Sequence, residues 1–219
     1  MKGLFVTGTD TDVGKTWVGR LIVQALIEKG AKLQPRKPIE SGWPTNIDKV
    51  TSTDAWHLAN AANKLDQLDT ICPNRFPAPL SPVRAARMVN QSLSLDKVAK
   101  QCLDNLQHDD FLYVEGAGGF YSPLVEDGLN ADLASKLKLP IVLVANNRLG
   151  CMNHILMTHE AMQNRDLNLL AVILNQVEAI DHDTAMNNQE DLQEYLTQPV
   201  FSLRHGQTTL PAPLVNLLY

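Results

Sequence analysis

The feature that most constrains this chain is the stretch GTDTDVGKT at residues 8–16. It follows the apolar run LFV and precedes WVGRLIVQAL, whose apolar residues recur at helical spacing. A strand, a glycine-rich turn and a helix in this order are typical of a phosphate-binding loop, although five residues rather than the usual four separate Gly8 from Gly14. We expect backbone amides to cradle phosphate oxygens, Lys15 to reach the β and γ phosphates, and the Thr16 hydroxyl to bind Mg²⁺.

Apolar strands alternate with amphipathic helices along the rest of the chain, which predicts an α/β fold with a doubly wound, mainly parallel sheet and helices on both faces. The predicted strands lie at residues 4–7, 33–39, 111–114, 140–145 and 169–174. The predicted helices lie at residues 14–29, 54–62, 83–88, 95–106 and 153–163. Because no linker or internal repeat interrupts this alternation, we expect one domain over residues 1–219.

Charge and cysteine usage exclude several classes of function. A formal net charge of −5 gives no general attraction to nucleic acid or to anionic membranes. The three cysteines are far apart in sequence, so neither a zinc site nor a disulfide framework is indicated. No apolar run reaches the length of a membrane span, and the first strand leaves no room for a signal peptide. We therefore expect a cytoplasmic protein that acts on small molecules.

Polar clusters follow four of the predicted strands, where parallel α/β sheets bind ligands. These clusters are GTDTDVGKT, EGAGG, NNRLGCMNH and NQ. Glu115 ends a buried strand, which is the place of the metal-binding acid in phosphate-loop enzymes. Asp54 opens a helix, where an acid either complements the helix dipole or binds metal, and Lys37 is either a solvated charge or a functional one. The residues alone leave these two alternatives open.

Taken together, these clusters resemble the dethiobiotin synthetase family. The matching pieces are FVTGTDTDVGKT, KPIESG, the helix start at Asp54, SP at 81–82, YVEGAGGFYSPL, LPIVLVANNRLGCMNH and ILNQV. The resemblance implies a P-loop NTPase-like scaffold and a cyclo-ligase. It implies that 7,8-diaminononanoate, CO₂ or bicarbonate, and ATP give dethiobiotin, ADP and phosphate, through a carbamate and a carbamic-phosphoric anhydride, with Mg²⁺ as cofactor.

The resemblance also implies roles for individual residues. The metal ligands are Thr16, Asp54 and Glu115. The catalytic residues are Lys37, Lys15 and Thr11. The nucleotide-binding residues are Asp12, Val13, Gly14, Lys15, Thr16, Asp54, Glu115, Gly116, Ala117, Gly118, Asn175 and Gln176, with the last two beside the adenine. The substrate-binding residues are Thr11, Lys37, Ser41, Gly118, Gly150, Cys151 and Asn153. The last three would hold the substrate carboxylate across the interface of a homodimer.

Two other functions remain to be weighed against this one. A different carboxylating or amide-forming enzyme could use the same loop and Glu115. A nucleotide switch of the partition or division-site type shares the scaffold, but such proteins have a lysine early in the loop where this chain has Asp10. The family's glycine-x-hydrophobic-proline segment, which touches the nucleotide base, has no clear match in PVFSLRHGQ. A preference for ATP over other triphosphates is therefore implied by the resemblance alone.

Overall fold

The computed structural model describes residues 2–179 and 186–219, and within these ranges ten strands and nine α-helices follow one another. The strands are β1 (Lys2–Gly8), β2 (Lys32–Arg36), β3 (Ile39–Ser41), β4 (Asn74–Phe76), β5 (Asp110–Gly119), β6 (Pro123–Val125), β7 (Gly128–Leu129), β8 (Ile141–Asn146), β9 (Leu169–Asn175) and β10 (Val200–Leu203). The helices are α1 (Lys15–Glu28), α2 (Asp54–Ala61), α3 (Leu68–Ile71), α4 (Pro82–Met88), α5 (Leu95–Leu103), α6 (Asn130–Leu137), α7 (Cys151–Gln163), α8 (Asn188–Gln193) and α9 (Ala212–Leu218). None of the helices in these ranges is long and apolar enough to cross a membrane.

Six strands form one parallel sheet in the order β10-β9-β8-β1-β5-β2. The central strand β1 pairs with β5 on one side and with β8 on the other, so that Phe5 stands opposite both Val114 and Ile141. Because all six strands run the same way, their carboxyl ends meet at one edge of the sheet. The doubly wound architecture predicted from the sequence is therefore confirmed.

Each face of the sheet carries its own apolar cluster. On β1, Phe5 packs on the face covered by helices α4 to α8, whereas Leu4 and Val6 pack on the face covered by α1, α2 and α9. All three side chains are buried. Burial on both faces explains why these strands appear in the sequence as continuous apolar runs rather than as alternating patterns.

The segment at residues 33–39, predicted as one strand, is divided in two. β2 lies at the edge of the main sheet beside β5, whereas β3 pairs with β4 in a separate two-stranded sheet. Pro38 has no backbone N–H to donate to a sheet, and the N–H of Lys37 donates to the carbonyl of Ile71 at 2.8 Å. The break leaves Lys37 buried beside the carboxyl end of the sheet.

Several boundaries differ from the sequence prediction. β5 was predicted to end at residue 114, but it continues through the glycines to Gly119, which pairs with Gly8 after an irregularity in the register. The helix predicted at residues 95–106 ends at Leu103, and the helix predicted at 153–163 begins at Cys151. The elements α6, α9 and β10, of 8, 7 and 4 residues, were not predicted.

The start of α2 follows the predicted capping signal. Thr53 Oγ1 accepts a hydrogen bond from the N–H of Trp56 at 3.2 Å, so Thr53 rather than Ser52 is the capping residue. The first residue of the helix is then Asp54, in the position that the sequence predicts.

Candidate active site

A cavity of about 700 Å³ opens where the carboxyl ends of β1, β5 and β2 come together. Its walls are the loop before α1, the segment around β3, the start of α2, the turn before α4 and the glycine turn at the end of β5. Both its position and its size are typical of small-molecule sites in parallel α/β folds. The lining residues are Thr11, Asp12, Gly14, Lys15, Thr16, Trp17, Lys37, Ile39, Glu40, Ser41, Asp54, Pro79, Leu80, Ser81, Pro82, Ala117, Gly118, Ser122 and Pro123.

The loop before α1 is wound tightly around two glycines. Gly14 is left-handed, with φ of 85°, and a Cβ there would lie 2.1 Å from Asn175 Nδ2. A Cβ on Gly8 would lie 2.8 Å from the side chain of Val13 and 2.9 Å from the carbonyl oxygen of Asp10. Asn175, at the end of β9, donates from Nδ2 to the carbonyl of Val13 at 3.1 Å. The backbone of the loop is thus packed against a neighbouring strand end.

The N-terminus of α1 opens into this loop without a cap of its own. Within the part of the chain that the structure describes, no side chain caps α1, and its first turn contains no acid. The N–H groups of a first helical turn have no partner inside the helix, and the helix dipole adds positive potential there. The start of α1 is therefore suited to binding an anion such as a phosphate.

Lys15 is buried beside the loop rather than extended into solvent. Its Nζ donates to the carbonyl oxygen of Asp10 at 2.9 Å. Burial, together with the nearby positive charge of Lys37, lowers the pKa of Lys15 to about 8. An anion bound in the cavity would favour the protonated form of this lysine.

Lys37 forms the centre of an ion cluster. Its Nζ lies 2.7 Å from Glu115 Oε1 and 2.8 Å from Asp54 Oδ2, and it also donates to the carbonyl of Gly116 at 3.2 Å. The hydroxyl of Thr16 donates to the same Glu115 Oε1 at 2.7 Å. Residues from four chain segments therefore meet around Lys37 and Glu115.

The protonation of this cluster follows from its contacts. Burial alone would lower the pKa of Lys37, but Asp54 and Glu115 hold it above its ordinary value. Burial alone would raise the pKa of Asp54, but Lys37 holds it at about 2. Lys37 and Asp54 are thus both charged at neutral pH.

The same group of oxygens fits a divalent cation. Thr16 and Glu115 are already in contact, and the Asp54 carboxylate faces them across Lys37. Among the described residues no three His, Cys, Asp or Glu side chains cluster closely enough to hold a metal. Mg²⁺ does not require such a cluster, because it usually binds one or two carboxylates together with phosphate and water. A hydroxyl and two carboxylates beside a phosphate loop meet that requirement.

Glu115 is held in place by the packing of α1 against β5. Tyr113 lies two residues earlier on the same strand and donates its hydroxyl to Glu115 Oε2 at 3.1 Å. A Cβ on Gly19 of α1 would lie 2.1 Å from the Tyr113 hydroxyl and 2.8 Å from Glu115 Oε2. The absence of a side chain at Gly19 allows both groups to fit under the helix. Glu115 is fully buried as a result.

The cavity extends from the ion cluster towards a group of small polar residues. Ser41 lines it, and its buried Oγ has no hydrogen-bond partner within the described residues. Gly118 is left-handed, with φ of 76°, and a Cβ there would lie 2.7 Å from Ser122 Oγ and 3.6 Å from Thr11 Oγ1. Thr11 and Gly118 therefore lie close together at the mouth of the loop.

The structure brings most of the predicted site residues together and leaves a few apart. The cavity is lined by Thr11, Asp12, Gly14, Lys15, Thr16, Lys37, Ser41, Asp54, Ala117 and Gly118. Glu115, Gly116 and Val13 are buried behind this lining. Asn175 holds the loop from the side, and the half-buried Gln176 is bonded through its N–H to Leu203. Gly150, Cys151 and Asn153 lie at the start of α7, outside the lining residues of the same chain.

Two polar side chains that the sequence did not single out organise this site. Glu40 accepts hydrogen bonds from the backbone of Asp54 and Ala55, and burial raises its pKa to about 6 against the opposing effect of Lys37. Asn130 bonds both the N–H and the carbonyl of Ala117, and so shapes the glycine turn. Glu40 lies within the KPIESG segment that carries Lys37 and Ser41, which could have drawn attention to it, whereas no pattern in the sequence points to Asn130.

The three tryptophans of the chain are all close to the site in sequence or in space. Trp17 follows Thr16 and lines the cavity, with the guanidinium of Arg20 3.7 Å from the centre of its ring. Trp43 lies two residues after Ser41, and Trp56 lies two residues after Asp54. They do not form a ligand cage, since only Trp17 is among the lining residues.

Sequence comparisons identify one matching family model and several similar proteins of the same name. A family model described as an AAA domain matches residues 2–203. The ATP-dependent dethiobiotin synthetase BioD of Vesicomyosocius okutanii is 34% identical over 195 residues, which are 89% of this chain and 86% of that protein. The protein of the same name from Anaeromyxobacter sp. strain Fw109-5 is 37% identical over 206 residues, or 94% of this chain and 91% of that one.

Solved structures with a similar fold are more distant in sequence. The MinC:MinD cell division complex of Aquifex aeolicus matches with a TM-score of 0.57 and 16% identity, covering 100% of this chain and 85% of that one. A ParA family ATPase from Chlorobium tepidum matches with a TM-score of 0.52 and 14% identity, covering 93% and 84%. At such identities the likeness concerns the fold alone, and together with the matching AAA family model it bears out the predicted P-loop NTPase-like scaffold.

Replacing Lys37 by Met should leave Glu115 buried without its cation. We expect the free energy of unfolding, measured in denaturant without nucleotide or metal, to fall by about 3 kcal/mol, because removing one partner of a buried ion pair costs about 3–5 kcal/mol. Lys32→Met is the matched control, since the Lys32–Asp109 pair is exposed and should contribute little. An unchanged free energy of unfolding in Lys37→Met would contradict the central role of this ammonium group.

Proposed function

The chain belongs to the family of ATP-dependent dethiobiotin synthetases, and we propose that it converts 7,8-diaminononanoate, CO₂ and ATP into dethiobiotin, ADP and phosphate. Membership of this family makes it an ATP-dependent ligase of biotin biosynthesis. The observation that best supports the finer assignment is the cluster of Lys37, Asp54 and Glu115 beside the phosphate loop. It concentrates charged groups where the terminal phosphate of a nucleotide would meet a second substrate.

The proposed reaction has three steps. One amine of the substrate adds to CO₂ and loses a proton, which gives a carbamate. An oxygen of the carbamate then attacks the γ-phosphorus of ATP, and ADP leaves, which gives a carbamic-phosphoric anhydride. The second amine attacks the carbonyl carbon of the anhydride and loses its proton, phosphate leaves, and the ureido ring closes. CO₂ and bicarbonate are interconverted in solution, so either can be supplied.

The main obstacle is the repulsion between two anions, the carbamate and the triphosphate. Lys15 and Lys37 both line the cavity and supply the positive charge that this approach requires. Phosphoryl transfer depends mostly on positioning and electrostatics, so the reaction needs no strong general base at this step. Thr11, Ser41 and Gly118 lie in the part of the cavity where the diamine would bind.

We assign the cofactor Mg²⁺ to Thr16, Asp54 and Glu115. Their oxygens are the ligand type that Mg²⁺ prefers. When bound, the ion neutralises charge on the β and γ phosphates. The chain itself holds the two carboxylates in position through Lys37, and Tyr113 fixes the orientation of Glu115.

The finer proposal includes a homodimer in which residues 150–153 hold the substrate carboxylate for the partner subunit. Gly150 is left-handed, with φ of 86°, and no side chain within the described residues caps the helix that follows it. Leu149, just before this helix, is exposed by 87%, and Met157, in the middle of the helix, is exposed by 54%, so large apolar side chains lie on the surface here. An anion-binding helix N-terminus on an apolar surface would suit a shared site.

A coupled assay tests the reaction. Purified protein is mixed with Mg²⁺, ATP, bicarbonate and 7,8-diaminononanoate, phosphate release is followed, and the organic product is identified by mass. We expect dethiobiotin to form in step with phosphate, and only when both diamine and bicarbonate are present. Nucleotide binding without diamine-dependent phosphate release would contradict this function, and stimulation by another amine or acid would indicate a different ligase on the same scaffold.

Removing one anionic ligand should weaken metal binding. We expect Asp54→Asn and Glu115→Gln to raise the Mg²⁺ concentration for half-maximal rate by about tenfold or more, because each loses a carboxylate oxygen. Asp66→Asn is the control, since Asp66 is exposed and does not line the cavity. A Mg²⁺ titration unchanged from that of the wild-type protein would remove that residue from the metal site.

The dimer can be tested by sedimentation at the concentrations used in the assay. We expect a homodimer, and we expect Asn153→Ala to raise the KM for the diamine while leaving the KM for ATP unchanged, because only the diamine would contact that residue. A monomer with full activity would contradict the shared site without affecting the proposed chemistry.

A further inference from the structure

We propose that Glu40 is a positioning residue that fixes Asp54 and thereby sets the affinity of the site for its divalent cation. The inference rests on the proposed function only in that Asp54 binds this cation. Glu40 lines the cavity with 8% of its surface exposed, and it is not among the residues that the family resemblance singles out.

Both carboxylate oxygens of Glu40 are engaged by α2. Oε1 accepts the N–H of Asp54 at 2.8 Å, and Oε2 accepts the N–H of Ala55 at 2.9 Å. These are the first two N–H groups of the helix, and Thr53 accepts the third, from Trp56. The first turn, which otherwise leaves its N–H groups unpaired, is therefore bonded in full to side chains. Because both of its oxygens accept hydrogen bonds from α2, the Glu40 carboxylate is held in one orientation.

The origin of this cap distinguishes it from an ordinary one. A helix is usually capped by the residue just before it, as Thr53 does here. Glu40 comes from β3, 14 residues earlier in the chain, three residues after Lys37 and next to Ser41. Its two hydrogen bonds tie the segment that carries Lys37 and Ser41 to the helix that carries Asp54.

The position of the Asp54 carboxylate depends on these two hydrogen bonds more than the position of the Glu115 carboxylate does. The Glu115 side chain is fully buried and also bonded by Tyr113 and Thr16, whereas the Asp54 side chain is 42% exposed on the cavity wall. Apart from its contact with Lys37, the direction of the Asp54 carboxylate is set by the backbone of the first turn of α2. Without Glu40, that turn loses its fixed distance from Lys37.

Metal binding measured without turnover gives the direct test. Mn²⁺ is titrated into the protein in the presence of a non-hydrolysable ATP analogue, and free Mn²⁺ is followed by electron paramagnetic resonance. We expect Glu40→Ala to weaken Mn²⁺ binding by about tenfold, as loss of a group that orients a metal ligand typically does. Glu40→Gln keeps the size and one acceptor oxygen, so we expect a smaller loss in a protein that stays folded.

A matched control separates positioning from capping alone. Asp127 Oδ1 accepts the N–H of Leu95, the first residue of α5, at 2.8 Å, and Asp127 does not line the cavity. We expect Asp127→Ala to lower the melting temperature and to leave Mn²⁺ affinity unchanged. If Glu40→Ala lowers the melting temperature but also leaves Mn²⁺ affinity unchanged, Glu40 is a structural cap and the proposal is overturned.

A double-mutant cycle shows whether Glu40 acts through Asp54. In an Asp54→Asn background, we expect Glu40→Gln to cause no further loss of Mn²⁺ affinity, because the ligand it positions is already gone. Independent, multiplicative losses would overturn the proposal. The titration needs no diamine and no product, so a failure to form dethiobiotin would affect the proposed function and leave this result standing.

Discussion

The ammonium group of Lys37, held between Glu115 and Asp54, is the interaction on which the rest of the site depends. Glu115 is fully buried, and a buried carboxylate is costly unless a charge is paired with it. Lys37 directly follows β2, which pairs with β5 in parallel, and the register that sets Arg36 opposite Val114 brings the lysine beside Glu115. The position of the edge strand β2 therefore also determines where this positive charge lies in the cavity.

The cavity contains groups that attract anions and groups that attract cations. The uncapped start of α1 and the two lysines favour anions, whereas the carboxylates of Asp54 and Glu115 favour a cation. Such a combination suits a nucleotide that arrives with its metal ion. An isolated phosphate would meet two carboxylates, Asp54 and Glu115, that only Lys37 neutralises, and a metal alone would compete with Lys37. The arrangement thus favours the two ligands together.

Much of this site could be predicted from the sequence, because its parts follow strands that periodicity identifies. The loop from Gly8 to Thr16 and the acid at Glu115 were found in this way. The resemblance to a known family, rather than any pattern, singled out Lys37 and Asp54. Glu40 and Asn130 were missed because their function depends on hydrogen bonds to backbone groups 13 to 15 residues away, across turns that no spacing rule describes. The divided second strand was missed for a related reason: the partner of β3 is β4, a three-residue strand within a proline-rich stretch.

The placement of the three tryptophans has an optical consequence. One lines the cavity, and the other two follow Ser41 and Asp54 by two residues each, while the remainder of the sheet and the whole of α5 to α9 contain none. The tryptophan emission of this protein therefore originates in the first 56 residues, in the segments that carry Lys15, Ser41 and Asp54. Its intensity and wavelength describe the environment of those segments, and no tryptophan of the later part of the chain contributes to it.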